Sequence, residues 1–167
     1  AAAAVGKAMG REGLWDVPRV IESAQVFDTH HLALLVACGA SAVLPYLAEQ
    51  FAEALEPQGA ELVRTAVIAG LRKVLARMGV STMASYRNSQ LFEIVGLSED
   101  FCTEFFEDAA DYPGQKSLDE LFGDYLRMHQ AGFSSAAGEL ADSGLYRFRK
   151  GAGLHANSPE LGGRFHA

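Results

Sequence analysis

The period of apolar positions changes along this chain, and those changes outline its elements. Between Pro18 and Leu47 it switches twice: Arg19–Ser23 (RVIES) has the profile of an extended segment, Thr29–Gly39 (THHLALLVACG) suits a helix, and Ala40–Leu47 (ASAVLPYL) is again extended and apolar. Strand, helix, strand in that order predicts a buried parallel unit, because parallel strands are apolar on both faces and need a crossover connection. Thr29 fits the helix N-cap and Gly39 the C′ position, which glycine fills cheaply in the left-handed conformation.

After Pro57 the pattern turns helical. Val63, Val67, Leu71, Val74, Leu75 and Met78 recur at spacings of three and four, while Arg64, Arg72 and Arg77 lie largely off that stripe, which predicts an amphipathic helix stopped at Gly79. Ser81 or Thr82 is placed to cap a second helix carrying Tyr86, Phe92 and Val95 as far as Gly96. Ser98 caps a third, with Glu99 and Asp100 where the helix dipole favours negative charge and Phe101, Phe105 and Phe106 forming an aromatic face. The DYPGQ stretch, 111–115, predicts a turn. Ser117 and Glu120 make an S-x-x-E capping box for a fourth helix whose Leu118, Leu121, Phe122, Tyr125 and Leu126 share a face. From Ala131 onward Gly, Ser and Pro accumulate, and Leu145, Tyr146 and Phe148 offer one short strand. The expected fold class is α/β, predominantly helical: a parallel strand-helix-strand unit followed by a helical bridge. The expected divisions are 1–57, 58–133 and an irregular 134–167.

Composition narrows the chemistry. At 167 residues, 49% hydrophobic and 21% charged, the chain has the profile of one globular domain with a core. A formal charge of −7 opposes a nucleic-acid partner, since that affinity rests on clustered Lys and Arg. The apolar run Leu32–Leu47 is interrupted by Gly39, Ser41 and Pro45, short of a membrane span. Cys38 and Cys102 stand alone in apolar surroundings, with no ligand at metal spacing, and imply a reduced, cytoplasmic chain.

Motifs with chemical content mostly have structural readings. His30 and His31 point about 100° apart on a helix, too far to share one ion, and a structural or capping role is expected. The G-x-G-x-x-A match at Gly151–Ala156 runs into NSPELGG where a dinucleotide loop would open an apolar helix, so a turn is expected. Glu104, Glu107, Asp108 and Asp111 read as the wet face opposite the phenylalanines. No catalytic centre and no metal site is expected. Arg87, close to the apolar stripe of the second helix, calls for a carboxylate partner, with Glu93 and the Glu104–Asp111 cluster as candidates.

Three blocks, THHLALLVACGASAVLPYLA, GLRKVLARMGVSTMASYRNSQLFEIVGL and GLYRFRKGAGLHANSPE, lie in an order and spacing that resemble the large chain of glutamate synthase over residues 17–160, from the end of its central domain towards its FMN-binding barrel. The middle block is the most specific. The resemblance implies a segment of an FMN-dependent oxidoreductase that makes glutamate from 2-oxoglutarate and glutamine, with FMN and an iron-sulfur cluster carrying electrons elsewhere in the complete enzyme. No cofactor is expected on this segment alone. The implied partners are the remainder of such a large chain or its neighbouring subunits. The alternative is a non-catalytic helical interaction module derived from the same family.

By the same resemblance Met78, Gly79, Ser81, Thr82 and Arg87 are candidate cofactor-border residues, beside a flavin or ammonia path. Their bland reading is a helix C-cap followed by an N-cap. The chain also departs from the family pattern: AADYPGQKS stands where a Ser-Arg-Ile-Gly-Gly turn is usual, removing an arginine able to face an anion, and Ala37-Cys38-Gly39 stands for Gly-Tyr-Gly.

Overall fold

A computed structural model describes residues 1–106, 109–134, 144, 147–152 and 158–165. The chain divides into two compact units, Ala1–Phe122 and Gly123–Ala167.

The first unit opens with helix α1 (Ala2–Arg11), which ends where Gly13 takes φ 73° and Leu14 N–H donates back to Met9 O. Strand β1 (Val20–Glu22), helix α2 (Thr29–Ala37) and strand β2 (Ala42–Leu44) then form the expected parallel unit, with Ile21 opposite Val43. The α2 cap is one residue earlier than expected: the Asp28 carboxylate accepts from His31 N–H at 2.9 Å. Thr29 is instead the first helical residue and packs on α4 (Gly59–Met78), where a Cβ at Gly70 would lie 2.1 Å from Thr29 Oγ1.

Helix α3 (Tyr46–Leu55) precedes α4, and the pair is tied by Arg64, which donates to both carboxylate oxygens of Glu49 at 3.0 and 2.7 Å. The core lies where α2 meets α4: Val26, Leu32, Ala33, Val36, Ala37, Leu71, Leu75 and Tyr86 are buried together. Gly79 closes α4 at φ 71°, with Gly79 N–H on Ala76 O and Val80 N–H on Leu75 O. This is a Schellman end, and Val80 packs onto the core as the motif favours. Of the stripe predicted for this helix, Leu71 and Leu75 are buried and Val63, Val67 and Val74 half-buried, while Met78 is exposed; its stop is the glycine.

The expected second helix is cut short. Thr82 caps α5 (Met83–Tyr86), but Asn88 and Gln90 take φ 61° and 50°, which no right-handed helix accommodates, and Glu93–Leu97 forms strand β3. The cause is tertiary: the Asn88 and Gln90 N–H groups donate to Val36 O and Ala37 O at the end of α2, at 3.1 Å each. Ser98 does cap the third helix, α6 (Glu99–Phe105), accepting from Phe101 N–H. The expected turn at 111–115 is strand instead: β4 (Ala110–Lys116) pairs in parallel with β3. Pro113 is tolerated because a two-stranded ladder leaves each strand one unpaired edge. The region read as all-helical thus holds a second strand-helix-strand unit, and the chain is α/β with helix predominant.

The S-x-x-E box is present: Glu120 N–H donates to Ser117 Oγ at 3.3 Å while Ser117 N–H donates to Glu120 Oε2 at 2.8 Å. It starts α7 (Leu118–Ser134), whose Leu118, Phe122, Tyr125 and Leu126 are exposed rather than packed. In the second unit, Arg127 pairs with Asp124 and the His129 and Phe133 rings lie 4.6 Å apart. Arg147 to Arg149 form no strand, while Leu145 and Tyr146 lie outside the described residues. Ser158 caps α8 (Pro159–Phe165) through Leu161 N–H. Among the described residues no helix is long and apolar enough to cross a membrane.

Candidate functional site

A helix end leaves its last carbonyls without helical partners, and at α2 their satisfaction builds a cleft. Ala40 N–H takes Leu35 O, Gly39 N–H and Asn88 N–H share Val36 O, and Gln90 N–H takes Ala37 O. Cys38 O is met by Arg19, whose Nη1 donates at 3.2 Å and also reaches Ala2 O at 3.3 Å, with Nη2 on Asn88 Oδ1 at 3.3 Å. A cation at a helix C-terminus is favoured by the dipole. Glycine makes room for it: a Cβ at Gly39, where φ is 97°, would lie 1.7 Å from Arg19 Nη2, and one at Gly6 would lie 1.9 Å from Nη1.

The resulting cleft encloses about 290 Å³. Ser41 is its pivot: its Oγ accepts from the Arg19 backbone N–H and from Arg87 Nη1, both at 3.2 Å. Lys7 is a further cation in the wall and donates to Glu104 O at 2.6 Å. Asp16 is the acidic member, and Leu14, Trp15 and Val17 form an exposed apolar rim.

The residues singled out from sequence fall in two places. Met78, Gly79, Ser81 and Thr82 share the α4–α5 connection, where Gly79 and Ser81 line a shallow depression with Arg72 and Val80. Gly79 and Val80 N–H donate to Ala76 O and Leu75 O, and Thr82 Oγ1 accepts from Ser85 N–H at 3.3 Å and lies 2.8 Å from Ser85 Oγ. Arg87 lies in the cleft at the α2 C-terminus instead. It is exposed and pairs with no described carboxylate, neither Glu93 nor Glu104, so its partner is the Ser41 hydroxyl. Sequence reasoning missed Arg19, Ser41 and Asn88. One signal was available, an arginine immediately before a strand and followed by a helix ending in glycine.

Elsewhere, the structure accounts for the remaining polar candidates. His31 acts locally, accepting from Phe27 N–H at Nδ1 and supplying the amide that holds the Asp28 carboxyl below its usual range. The Arg64 hydrogen bonds likewise lower the Glu49 carboxyl. Burial raises the Cys38 thiol and the Tyr86 phenol. Glu104 is exposed and meets Arg11 at 3.3 Å; Glu107, Asp108 and the Asp111 side chain lie outside the described residues. So does most of Gly151–Ala156, although Gly151 has φ 84° in a turn. An iron-sulfur cluster does not fit this donor set, since two free cysteines cannot supply its thiolates. Among the described residues no three His, Cys, Asp or Glu side chains converge as a metal site.

Comparison with known proteins gives one consistent relationship. The family model for the glutamate synthase central domain matches residues 1–98. The ferredoxin-dependent glutamate synthase 2 of Synechocystis sp. is 32% identical over 88% of the chain, and the chloroplastic ferredoxin-dependent glutamate synthase of Spinacia oleracea is 35% identical over 88%. The Pyropia yezoensis enzyme is 34% identical over the same share. The chain spans only 11%, 10% and 11% of those proteins respectively. With the model covering more than half its length, the chain belongs to the glutamate synthase central domain family.

Proposed function

We propose that this chain serves as central-domain scaffold in a ferredoxin-dependent glutamate synthase, an FMN-dependent oxidoreductase that makes glutamate from glutamine and 2-oxoglutarate. The observation that carries the reading is the match of residues 1–98 to the central-domain model, extended by relatives aligned over 88% of the chain, each named as ferredoxin-dependent. In this reading the chemistry belongs to other parts of a large chain, FMN and the iron-sulfur cluster are bound there, and the α4–α5 connection with Met78, Gly79, Ser81 and Thr82 borders their path. The residues here form two parallel strand-helix-strand units, joined where the Asn88 and Gln90 amides meet the end of α2.

A segment exchange tests this. Placing these residues in the Synechocystis enzyme in place of its own matching segment should give a flavin-containing protein that still forms glutamate with reduced ferredoxin. A folded, flavin-loaded chimera without glutamate formation would overturn the reading. The chain alone should show no flavin absorbance after gel filtration in the presence of FMN, and a retained yellow complex would move the cofactor site into this segment.

A further inference from the structure

We propose that the cleft at the α2 C-terminus is a binding site for a small organic carboxylate, distinct from the glutamate-forming chemistry assigned above to other parts of the chain. The inference begins from charge. The molecule carries 21 acidic and 14 basic residues, yet the wall of this cleft is mainly cationic. Arg19 and Arg87 both line this cleft and neither guanidinium pairs with a described carboxylate; Arg87 Nη1 meets Ser41 Oγ, which also accepts from the Arg19 backbone N–H. Lys7 adds positive charge to the wall, and Asp16 is the acid set against them.

The donors that remain define the ligand. Arg19 is held by Ala2 O, Cys38 O and Asn88 Oδ1, with its guanidinium seated against the bare backbone of Gly6 and Gly39. It is a fixed charge. Arg87 uses a single N–H on Ser41 Oγ, keeping a planar edge of donors free, and such an edge matches the two oxygens of a carboxylate. Ser41 thereby sets the orientation of Arg87 rather than neutralising it. A volume of about 290 Å³ admits a small molecule only. The rim decides between organic and inorganic anions: Leu14 and Trp15 are 48% and 74% exposed, so an acid with a carbon chain covers apolar surface that phosphate leaves wet.

Titration of the isotope-labelled chain with sodium succinate, followed by amide NMR at constant ionic strength, tests the site. Saturable shifts should centre on Ser41, Arg87 and Asn88, and inorganic phosphate should bind more weakly. Arg87→Gln should weaken succinate by about tenfold or more, the loss of one charge-assisted pair. Arg87→Lys should also weaken it, because an ammonium cannot present the planar fork. Arg72→Gln, outside the cleft, should leave the affinity unchanged. Because Arg87 is exposed, its variants should keep the wild-type melting temperature, which separates lost binding from lost fold. The proposal is overturned if the folded chain shows no saturable response, if phosphate binds as tightly as succinate, or if Arg87→Gln binds as the wild type does. None of these results depends on glutamate formation, so the site and the proposed function fail separately.

Discussion

The two strand-helix-strand units are built on different principles. In the first, β1 and β2 pair without irregularity and α2 contributes Leu32, Ala33, Val36 and Ala37 to the main core. In the second, the β3–β4 register slips between Val95 and Leu97, where Gly96 takes φ 87°. Its burial rests on Ile94 and Cys102, and its aromatic residues pack among themselves: Phe101 with Phe105 at 5.0 Å and Phe92 with Phe106 at 5.7 Å. One unit lies in the shared core, while the other reaches it through Phe92 and is otherwise held by a local aromatic cluster. A parallel pair is therefore not stabilised by its ladder alone; what its connecting helix packs against decides how firmly it is held.

The strongest test of that contrast truncates the core. Leu75→Ala should cost about 2–5 kcal/mol, and hydrogen exchange should show protection lost across α2 and α4 more than across β3 and β4. Equal loss in both units would dissolve the distinction. The second unit has its own weak point: a Cβ at Gly114 would lie 2.2 Å from Gly96 O. Gly114→Ala should cost about 2 kcal/mol by forcing the strands apart, with the exchange change confined to β3 and β4.

Smaller effects sharpen the picture at the unit boundaries. Gly79→Val should cost about 1 kcal/mol in a denaturant melt, because a β-branched residue is strained at φ 71° even though open space surrounds it. The Glu49–Arg64 pair gives a pH signature. Because folding lowers the Glu49 carboxyl, its contribution is complete above the unfolded-state titration and is lost as pH falls through the lower folded-state range. Glu49→Gln should therefore flatten the acid limb of stability, measured by melting temperature against pH, by less than about 1 kcal/mol, since Arg64 is half exposed. Least of all, Arg87→Lys should change stability by under about 0.5 kcal/mol. A larger loss would show that Arg87 braces the loop 88–90 and not merely the cleft.

Much of the first unit was legible because its signals are local. Alternation between extended and helical periods, the glycine after α2 and the three-and-four spacing of α4 each reflect short-range physics, and the caps at Thr82, Ser98 and Ser117 follow from backbone amides that need a nearby oxygen. The cleft was only half legible. Arg87 was singled out, but its need for a carboxylate was inferred from a helix that does not continue, and Arg19 lay hidden in a strand signal.

The sequence by itself determined the helical stretches with caps, the glycine stops, the first parallel unit and the family, since each is written in neighbouring residues or in a long ordered match. Tertiary structure decided the rest. Phe92 and Val95, three residues apart, fit one helix face, yet Val95 lies in a strand because the carbonyls at the end of α2 capture the Asn88 and Gln90 amides and break the helix. The same capture brings Asn88 to Arg19 and Arg87 to Ser41, so the cleft exists through contacts between residues 46 and 69 positions apart in the chain. No local pattern encodes such pairs; they form only when a helix end must find its hydrogen bonds in whatever segment the fold places beside it.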